Sequence, residues 1–346
     1  KTHMENMYPV LREAGIQEGK IFALPVSSNL TSLAVHAKAF KALGIPLPQT
    51  FDDVCQVVNT WYQGAMGEGE YNLINQIGVD WVQEMLLHAY NDAYAFSGQD
   101  VLLDTPLFRR MMASLQALPL EKIQEDYGSV DAQDIEGFYE KTCLFYLGHT
   151  FSLHNYGYGE DNEMGRTMPD SFYGLKASED SPAVIRADVK YLLINSQSKN
   201  LEAALRYAEN YVKALDAATR IVLYPGENEP VVAQNYEENL FRLRKSLENV
   251  QEALKTAEGA EKTNLETYVK NWQERIAEHE RYNKYEVKAE AIAAYRKLME
   301  DVYVITPDNS LLLQQMDLVS LRSRLNDGQI TLEQYIQQVD AKLRLI

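Results

Sequence analysis

Short apolar runs alternate with longer amphipathic segments along this chain, a pattern that predicts a mixed α/β fold. Ile21–Leu24, Cys143–Leu147 and Val189–Asn195 have the length and apolar content of buried strands. Because Pro25 cannot donate a hydrogen bond to a sheet ladder, the first strand is expected to weaken or end there. Leu201–Leu215 repeats apolar residues at helical spacing and predicts an amphipathic helix.

Helix-start signals support the same alternation. Thr50 precedes an acidic first turn, Thr105 is followed by Pro106, and Thr331 precedes the last amphipathic segment. A threonine hydroxyl at such a position accepts a hydrogen bond from a free N–H of the first turn, and proline is tolerated at the first helical position. Trp81–Tyr94 is also predicted to be helical, from the spacing of its apolar residues.

One long segment has a different period. Between Gln234 and Glu300, apolar residues alternate steps of three and four along two arms that meet near Gly259. The seam residues are Leu240, Leu243, Leu247, Val250, Leu254, Ala257, Leu265, Val269, Trp272, Ile276 and His279. Such a seam predicts an antiparallel helical hairpin with arms roughly 30 Å long. The hairpin is either a decorative insertion or a docking arm for another protein, and the sequence leaves both open.

The acidic composition narrows the range of partners. The 346 residues include 50 acidic and 33 basic side chains, and the formal net charge is −17. Such a surface repels phosphate backbones and anionic lipid headgroups, so nucleic acid is not expected as a partner. The chain is long enough for two domains, and no apolar run reaches the ~18 residues that a membrane span needs.

The sequence contains no recognised catalytic or cofactor motif: HExxH, GxSxG, a P-loop and GxGxxG are all absent. His149 and His154 have no evident third metal ligand, and the acidic residues of 160–163 lack EF-hand spacing. Cys55 and Cys143 lie in apolar patterns and are expected to be small buried residues, with a disulfide between them left open. We therefore expect neither an enzyme nor a metal or cofactor site.

Several segments, in this order, resemble the extracellular solute-binding proteins of sugar-importing ABC transporters. Gly19–Pro25 is similar to the family text GKIYGLP, Ala39–Pro46 to LFKKLGIPVP, Thr50–Val54 to TWDEF, and Ser198–Leu215 and Asn326–Ile336 to later family segments. Val35–Lys38 departs from the pattern, because the family often has Tyr-Tyr-Asn-Lys there. The resemblance covers nearly the whole chain except the hairpin.

This resemblance implies an α/β, two-lobe fold of the periplasmic-binding-protein-like type II, with the first lobe incomplete and the helical hairpin inserted. Residues 1–25 and 195–310 would be the remainder of the N-terminal lobe, with the hairpin at 234–300, and residues 26–194 and 311–346 would be the C-terminal lobe. The lobes would hinge near Pro25, Asn195 and Thr306.

The resemblance also implies the function of such proteins, which is capture of a carbohydrate between the lobes and delivery to a membrane permease. Family members carry a signal peptide, a lipid-anchoring Cys and the first half of the N-terminal lobe ahead of the matching region. The chain is therefore expected to be a fragment of, or to be numbered from inside, a lipid-anchored protein of the cell surface.

A sugar presents apolar faces and a belt of hydroxyls, so its site needs aromatic platforms flanked by hydrogen-bonding side chains. The 22 Tyr and 3 Trp residues are consistent with such a site. Carried over by position, the expected ligand-binding residues are Ser28, Asn29, Trp81, His149, Thr150, Phe151 and Gln315, with Gln314 beside the last. Trp81 and Phe151 would face a common cavity, and for each the alternative is an ordinary core residue.

Two other functions are kept as alternatives. The first is a non-transport scaffold that binds a protein partner through the hairpin at 234–300. The second is a glycoside-processing enzyme, although the sequence places no pair of carboxylates at the separation that hydrolysis requires.

Overall fold

The computed structural model describes residues 2–64, 71–75, 80–98, 100–127, 141–147, 150–154, 156, 168–304 and 318–344. The helices are α1 (Thr2–Glu5), α2 (Pro9–Ala14), α3 (Ala37–Ala42), α4 (Phe51–Tyr62), α5 (Trp81–Phe96), α6 (Pro106–Gln116), α7 (Leu120–Tyr127), α8 (Leu201–Lys213), α9 (Ala217–Leu223), α10 (Tyr236–Leu254), α11 (Gly259–Tyr282), α12 (Ala289–Leu298), α13 (Leu318–Asn326) and α14 (Leu332–Leu343). The strands are β1 (Ile16–Gln17), β2 (Lys20–Ile21), β3 (Leu24–Thr31), β4 (Leu33–Val35), β5 (Tyr71–Ile74), β6 (Thr142–Tyr146), β7 (Thr150–Phe151), β8 (Ser171–Tyr173), β9 (Ile185–Leu192), β10 (Val231–Val232), β11 (Tyr285–Val287) and β12 (Val302–Val304).

Two four-stranded sheets organise these elements into two lobes. The sheet of the N-lobe has the order β12-β9-β3-β7, in which β12 is parallel to β9 and the other pairs are antiparallel. The sheet of the C-lobe has the order β5-β6-β4-β8, in which β5 is parallel to β6 and the other pairs are antiparallel. The mixed α/β class expected from the alternating pattern is confirmed.

Each sheet has its own hydrophobic core. Helices α1, α2, α9 and α12 contribute buried residues to the N-lobe core, around Leu30, Ala187 and Val302 of the sheet. Helices α3 to α7, α13 and α14 contribute to the C-lobe core, around Val35, Ile74 and Phe145. Since burial of apolar surface is the dominant favourable term in folding, each lobe has its own source of stability.

The helix starts follow the sequence signals. The Thr50 hydroxyl accepts a hydrogen bond from Asp53 N and the Asp53 carboxylate accepts one from Thr50 N, which makes a reciprocal capping box. Thr105 caps α6 through Phe108 N, and Thr331 forms a second capping box with Gln334. Cys55 and Cys143 are free and buried.

The chain changes sheet later than the sequence suggests. Strand β3 does not end at Pro25, which pairs with Tyr191 beside a register shift, and it continues along β9 as far as Thr31. The first crossover is therefore Ser32, between β3 and β4. Further changes of sheet lie between β6 and β7, between β7 and β8, and between β8 and β9 (Tyr173 to Ile185), and none lies at Asn195. Thr306, near the expected third hinge, lies outside the described residues. Pro25 is tolerated in β3 because it stands near the start of the strand, next to the register shift.

The helical hairpin is present but shorter than the expected 234–300. Helices α10 and α11 pack against each other, and β10 pairs antiparallel with β11 to close the base of the hairpin. After β11 the chain returns to the N-lobe, where Ala291, Ile292 and Tyr295 of α12 are buried in the core. No described residue of 236–282 belongs to either lobe's core.

Helix α8 keeps most of its apolar face outside both cores. Only Ala208 of this helix is buried, whereas Leu205 is 50% exposed. The face lines an open groove of about 1340 Å³ together with Phe22 and Leu192. Among the residues expected to bind a ligand, the five that the structure describes do not line this groove.

Candidate functional site

The candidate site is the junction of the two lobes, where Thr31, Ser32 and Leu33 carry the chain from one sheet to the other. These three residues line a cavity of about 30 Å³ together with His88, Asp92 and Arg186, among others. About 10–15 Å³ of such space holds one water molecule, so this cavity has room for only about two waters and is too small for a sugar. A sugar therefore has to bind elsewhere along the junction.

A polar face of the N-lobe sheet continues from this junction. Along β9, Ile185, Ala187 and Val189 are buried, while Asp188 and Lys190 are exposed. Since successive side chains of a strand point to opposite faces, one face of the sheet packs on the core and the other is polar. The pairing places Asn29 opposite Asp188, and Thr31 opposite both Arg186 and Thr150.

Four of the expected ligand-binding residues lie on this sheet, but on its two different faces. Asn29 and Thr150 are exposed on the polar face. Ser28 and Phe151 are 5% and 6% exposed and lie on the face that packs on the N-lobe core. The Phe151 ring is surrounded by Tyr156, Phe172 and Tyr295. Which of these residues lie on which face depends on the register of β3 on β9, and the sequence alone does not give that register.

Trp81 lies in the other lobe. It is the first residue of α5, is 1% exposed, and belongs to the C-lobe core. Trp81 and Phe151 therefore do not form the shared aromatic floor that was expected. Both residues belong to apolar patterns in the sequence. Such a pattern does not distinguish a residue buried in a core from one exposed in a cleft. His149, Gln314 and Gln315 lie outside the described residues.

A polar stripe on α5 was not predicted from the sequence. Glu84, His88 and Asp92 follow one another at intervals of four residues, so they share one face of the helix. The stripe lies next to the buried surface of α5, on which Trp81, Met85, Leu86, Ala89, Tyr90 and Ala93 pack into the C-lobe core. An i, i+4, i+8 series of titratable residues beside the apolar face of a helix is the signal that would have identified this stripe.

The stripe contacts the N-lobe sheet through charged groups. Asp92 Oδ2 lies 3.4 Å from Arg186 Nε, and Tyr303 donates a 2.8 Å hydrogen bond to Asp92 Oδ1. Arg186 Nη2 lies 3.2 Å from His88 Nδ1. Because a guanidinium group can only donate, His88 Nδ1 is the acceptor and carries no proton.

Burial and the neighbouring charges shift the pKa values of these groups. Burial raises the pKa of Asp92 to about 6, against the opposing effects of Arg186 and the Tyr303 hydrogen bond. Burial, with Arg186 and Arg322 nearby, lowers the pKa of His88 to about 3, so this histidine is neutral at ordinary pH. Burial also raises the pKa of Tyr303, which keeps its hydroxyl available as a donor to Asp92.

Neither metal chemistry nor a membrane span is visible in the part of the chain that the structure describes. There, no group of three or more His, Cys, Asp or Glu side chains is arranged to hold a metal ion. No helix within the described ranges combines the length and the apolar character needed to cross a membrane.

No family model and no curated protein sequence matches the chain. Among solved structures, it is similar to a putative oligosaccharide periplasmic-binding protein from Synechococcus sp. MITs9220, with a TM-score of 0.53 and 14% identity, over 99% of this chain and 76% of that one. It is also similar to the cyclic α-maltosyl-1,6-maltose binding protein from Arthrobacter globiformis, with a TM-score of 0.50 and 13% identity, over 100% and 78% of the two chains. The sugar-binding protein MalE from Xanthomonas citri gives a TM-score of 0.50 and 12% identity, over 98% and 74%.

A likeness at 12% to 14% identity establishes the fold. The chain has the two-lobe architecture of periplasmic-binding-protein-like structures, which confirms the fold that the resemblance implied. These structural relatives are named as proteins that bind a sugar or an oligosaccharide.

Proposed function

We propose that this chain belongs to the substrate-binding component of an ABC importer and captures an oligosaccharide between its two lobes. The observation that carries the proposal is the crossover at Ser32, where one continuous segment leaves the N-lobe sheet and enters the C-lobe sheet. Two lobes with separate cores, joined at such crossovers, can close on a ligand by hinge bending. The structural relatives that are named for oligosaccharides and maltosyl-maltose support carbohydrate as the ligand class.

Within this function, we assign ligand contact to the polar face of the N-lobe sheet. Asn29 supplies an amide with both donors and an acceptor, and Thr150 supplies a hydroxyl, which are the groups that match a belt of sugar hydroxyls. Both side chains are exposed and flank Thr31 at the crossover. His149, whose neighbour is Thr150, and Gln315 stay in the proposed site on the resemblance alone. Ser28, Trp81 and Phe151 act from the cores, by supporting the elements that carry the site.

The rest of the biological setting is part of the same proposal. We infer that the complete protein works outside the cell membrane as a surface lipoprotein and passes its ligand to a permease. We also infer a binding role without catalysis. The names of the structural relatives support these inferences, and so does the sequence resemblance.

The scaffold alternative, in which the hairpin of α10 and α11 is the working part, receives less support. The structural likeness to the three relatives extends over 98% to 100% of this chain, and each of them is named as a binding protein. Removing residues 236–282 distinguishes the two functions, because it spares carbohydrate binding only if the lobes bind the ligand.

Calorimetric titration with a panel of α-1,4-linked glucose oligosaccharides and chitin oligosaccharides tests the proposal. We expect saturable binding of at least one class, with a smaller radius of gyration in X-ray scattering when ligand is added. Asn29→Ala should weaken binding roughly fivefold or more, because a sugar hydroxyl loses its partner. Asn210→Ala is the matched control, since Asn210 is an exposed asparagine on α8 and is not among the expected ligand-binding residues. Absence of heat and of any melting shift across the panel would rule the proposal out.

A further inference from the structure

The polar stripe of α5 and the N-lobe sheet are held together by contacts that cross from one lobe to the other. Asp92 belongs to a helix of the C-lobe core, whereas Arg186 and Tyr303 belong to the central and edge strands of the N-lobe sheet. The side chains of Asp92 and Arg186 are 15% and 19% exposed, so water screens their interaction little. The contact is therefore part of the joint between the lobes rather than a surface ion pair.

The position of Arg186 ties this contact to the crossover itself. In the N-lobe sheet, Arg186 pairs with Thr31 on one side and with Tyr303 on the other. Thr31 is the last residue of β3 before the crossover at Ser32. The small cavity beside these residues is lined by Ser32, His88, Asp92 and Arg186 together. A rotation of one lobe about Ser32 must therefore move Asp92 relative to Arg186.

The chemistry of the contact makes it sensitive to such a rotation. The guanidinium group of Arg186 is planar, and its Nε contacts Asp92 while its Nη2 contacts His88. Asp92 in turn uses its two oxygens for two different partners, Arg186 and Tyr303. Arg186 Nε faces Asp92 as an ion pair without a hydrogen bond, whereas Tyr303–Asp92 and Arg186–His88 are hydrogen bonds. Because hydrogen bonds weaken steeply with angle and distance, these two bonds favour one orientation of the lobes.

We propose that Asp92, Arg186 and Tyr303 form an interlobe latch that holds the two lobes in one relative orientation at the crossover. Within the C-lobe, Arg322 of α13 lies 3.5 Å from Glu84 and 3.8 Å from Asp80, and these contacts hold the stripe of α5 in place. The latch positions the lobes and does not contact a ligand. Its action does not depend on which solute the protein binds.

The orientation of the lobes can be measured directly by pulsed electron spin resonance. Spin labels are attached at Ala293→Cys on α12 and Gln116→Cys on α6, two exposed positions in different lobes. The native Cys55 and Cys143 are 5% and 3% exposed and stay unlabelled in the folded protein. The distance distribution between the two labels is compared for the unchanged latch, Tyr303→Phe, Asp92→Ala, Arg186→Ala and the conservative Arg186→Lys.

The unchanged protein should give one narrow distance distribution. In Tyr303→Phe, Asp92→Ala and Arg186→Ala, the population at other distances should rise roughly tenfold relative to the latched one, because each variant loses a hydrogen bond to a charged group. Arg186→Lys should lie between these variants and the wild type, since a lysine keeps the charge but not the planar fork.

Glu333→Gln is the matched control, because it removes the exposed contact between Glu333 and Arg109, and both residues lie in the C-lobe. This variant should give the wild-type distribution. Circular dichroism establishes whether each variant is folded. If Arg186→Ala does not fold, Tyr303→Phe, which removes a single hydroxyl, still tests the proposal. Wild-type distributions in the folded latch variants would overturn the proposal.

Discussion

Replacing Trp81 by alanine tests whether this residue is a core residue or a ligand platform. Its side chain is 1% exposed and is among the largest fully buried side chains of the described protein. Truncation of a buried Trp to Ala typically costs about 3–5 kcal/mol, because transfer free energy is lost and a cavity remains. For a domain of this size, each kcal/mol shifts the melting temperature by roughly 2–4 °C. We therefore expect the transition of the C-lobe to fall by about 6–20 °C.

The assay is differential scanning calorimetry combined with hydrogen exchange, which reports the stability of each lobe separately. Trp272→Ala is the matched control, because Trp272 is half-buried on the hairpin and belongs to neither core. It should leave the lobe transitions nearly unchanged. Phe151→Ala should instead lower the transition of the N-lobe, since Phe151 is 6% exposed in that lobe's core.

A ligand platform would behave in the opposite way. If Trp81→Ala melted within about 2 °C of the wild type, a shift expected of surface substitutions, and lost carbohydrate binding, the core assignment of Trp81 would be refuted. Equal losses of stability in both lobes from Trp81→Ala would also contradict the description of two separate cores.

Three further predictions concern the joint, the C-lobe and the hairpin. Asp340 is 4% exposed and accepts hydrogen bonds from Leu103 N at 2.7 Å and Asp104 N at 3.0 Å, so Asp340→Ala should lower the free energy of unfolding by about 2–4 kcal/mol in urea titrations, and Asp340→Asn by less. Burial raises the pKa of Asp92 from 3.8 to about 6, so the folded state keeps a proton that the unfolded state releases between these pH values. Stability should thus rise as pH falls from 6 to 4, by as much as about 3 kcal/mol, and comparison with Asp92→Asn over that range isolates this contribution from those of other groups; equal pH slopes in the two proteins would contradict it. Deleting residues 236–282 and joining the flanking residues by a short glycine linker should leave the melting of both lobes within a few degrees of the wild type, since the hairpin contributes nothing to either core, and a collapse of the N-lobe would show otherwise.

Local chemistry made several elements predictable. The capping boxes at Thr50 and Thr331 depend on side chains that bond to the backbone within their own first turn, so four consecutive residues suffice to identify them. The hairpin was predictable for a similar reason. Apolar residues at alternating steps of three and four form the seam along which α10 packs on α11, and both helices lie in one continuous segment. The order of the family-like segments along the chain also indicated the two-lobe fold, although no single segment did so alone.

Long-range pairing decided the crossover and the faces of the sheet. Pro25 suggests a strand end when it is considered alone, yet the partner strand β9 extends β3 to Thr31 and moves the crossover to Ser32. The same register sends Asn29 to the polar face and Ser28 to the core, and no local pattern distinguishes two adjacent polar residues. Trp81 and Phe151 both satisfy an apolar pattern, but only the packing of α5 and of the N-lobe sheet assigns them to separate cores. The Asp92–Arg186 contact joins residues that are distant along the chain, and such a contact depends on the tertiary fold because its energy depends on distance and burial, not on neighbouring sequence.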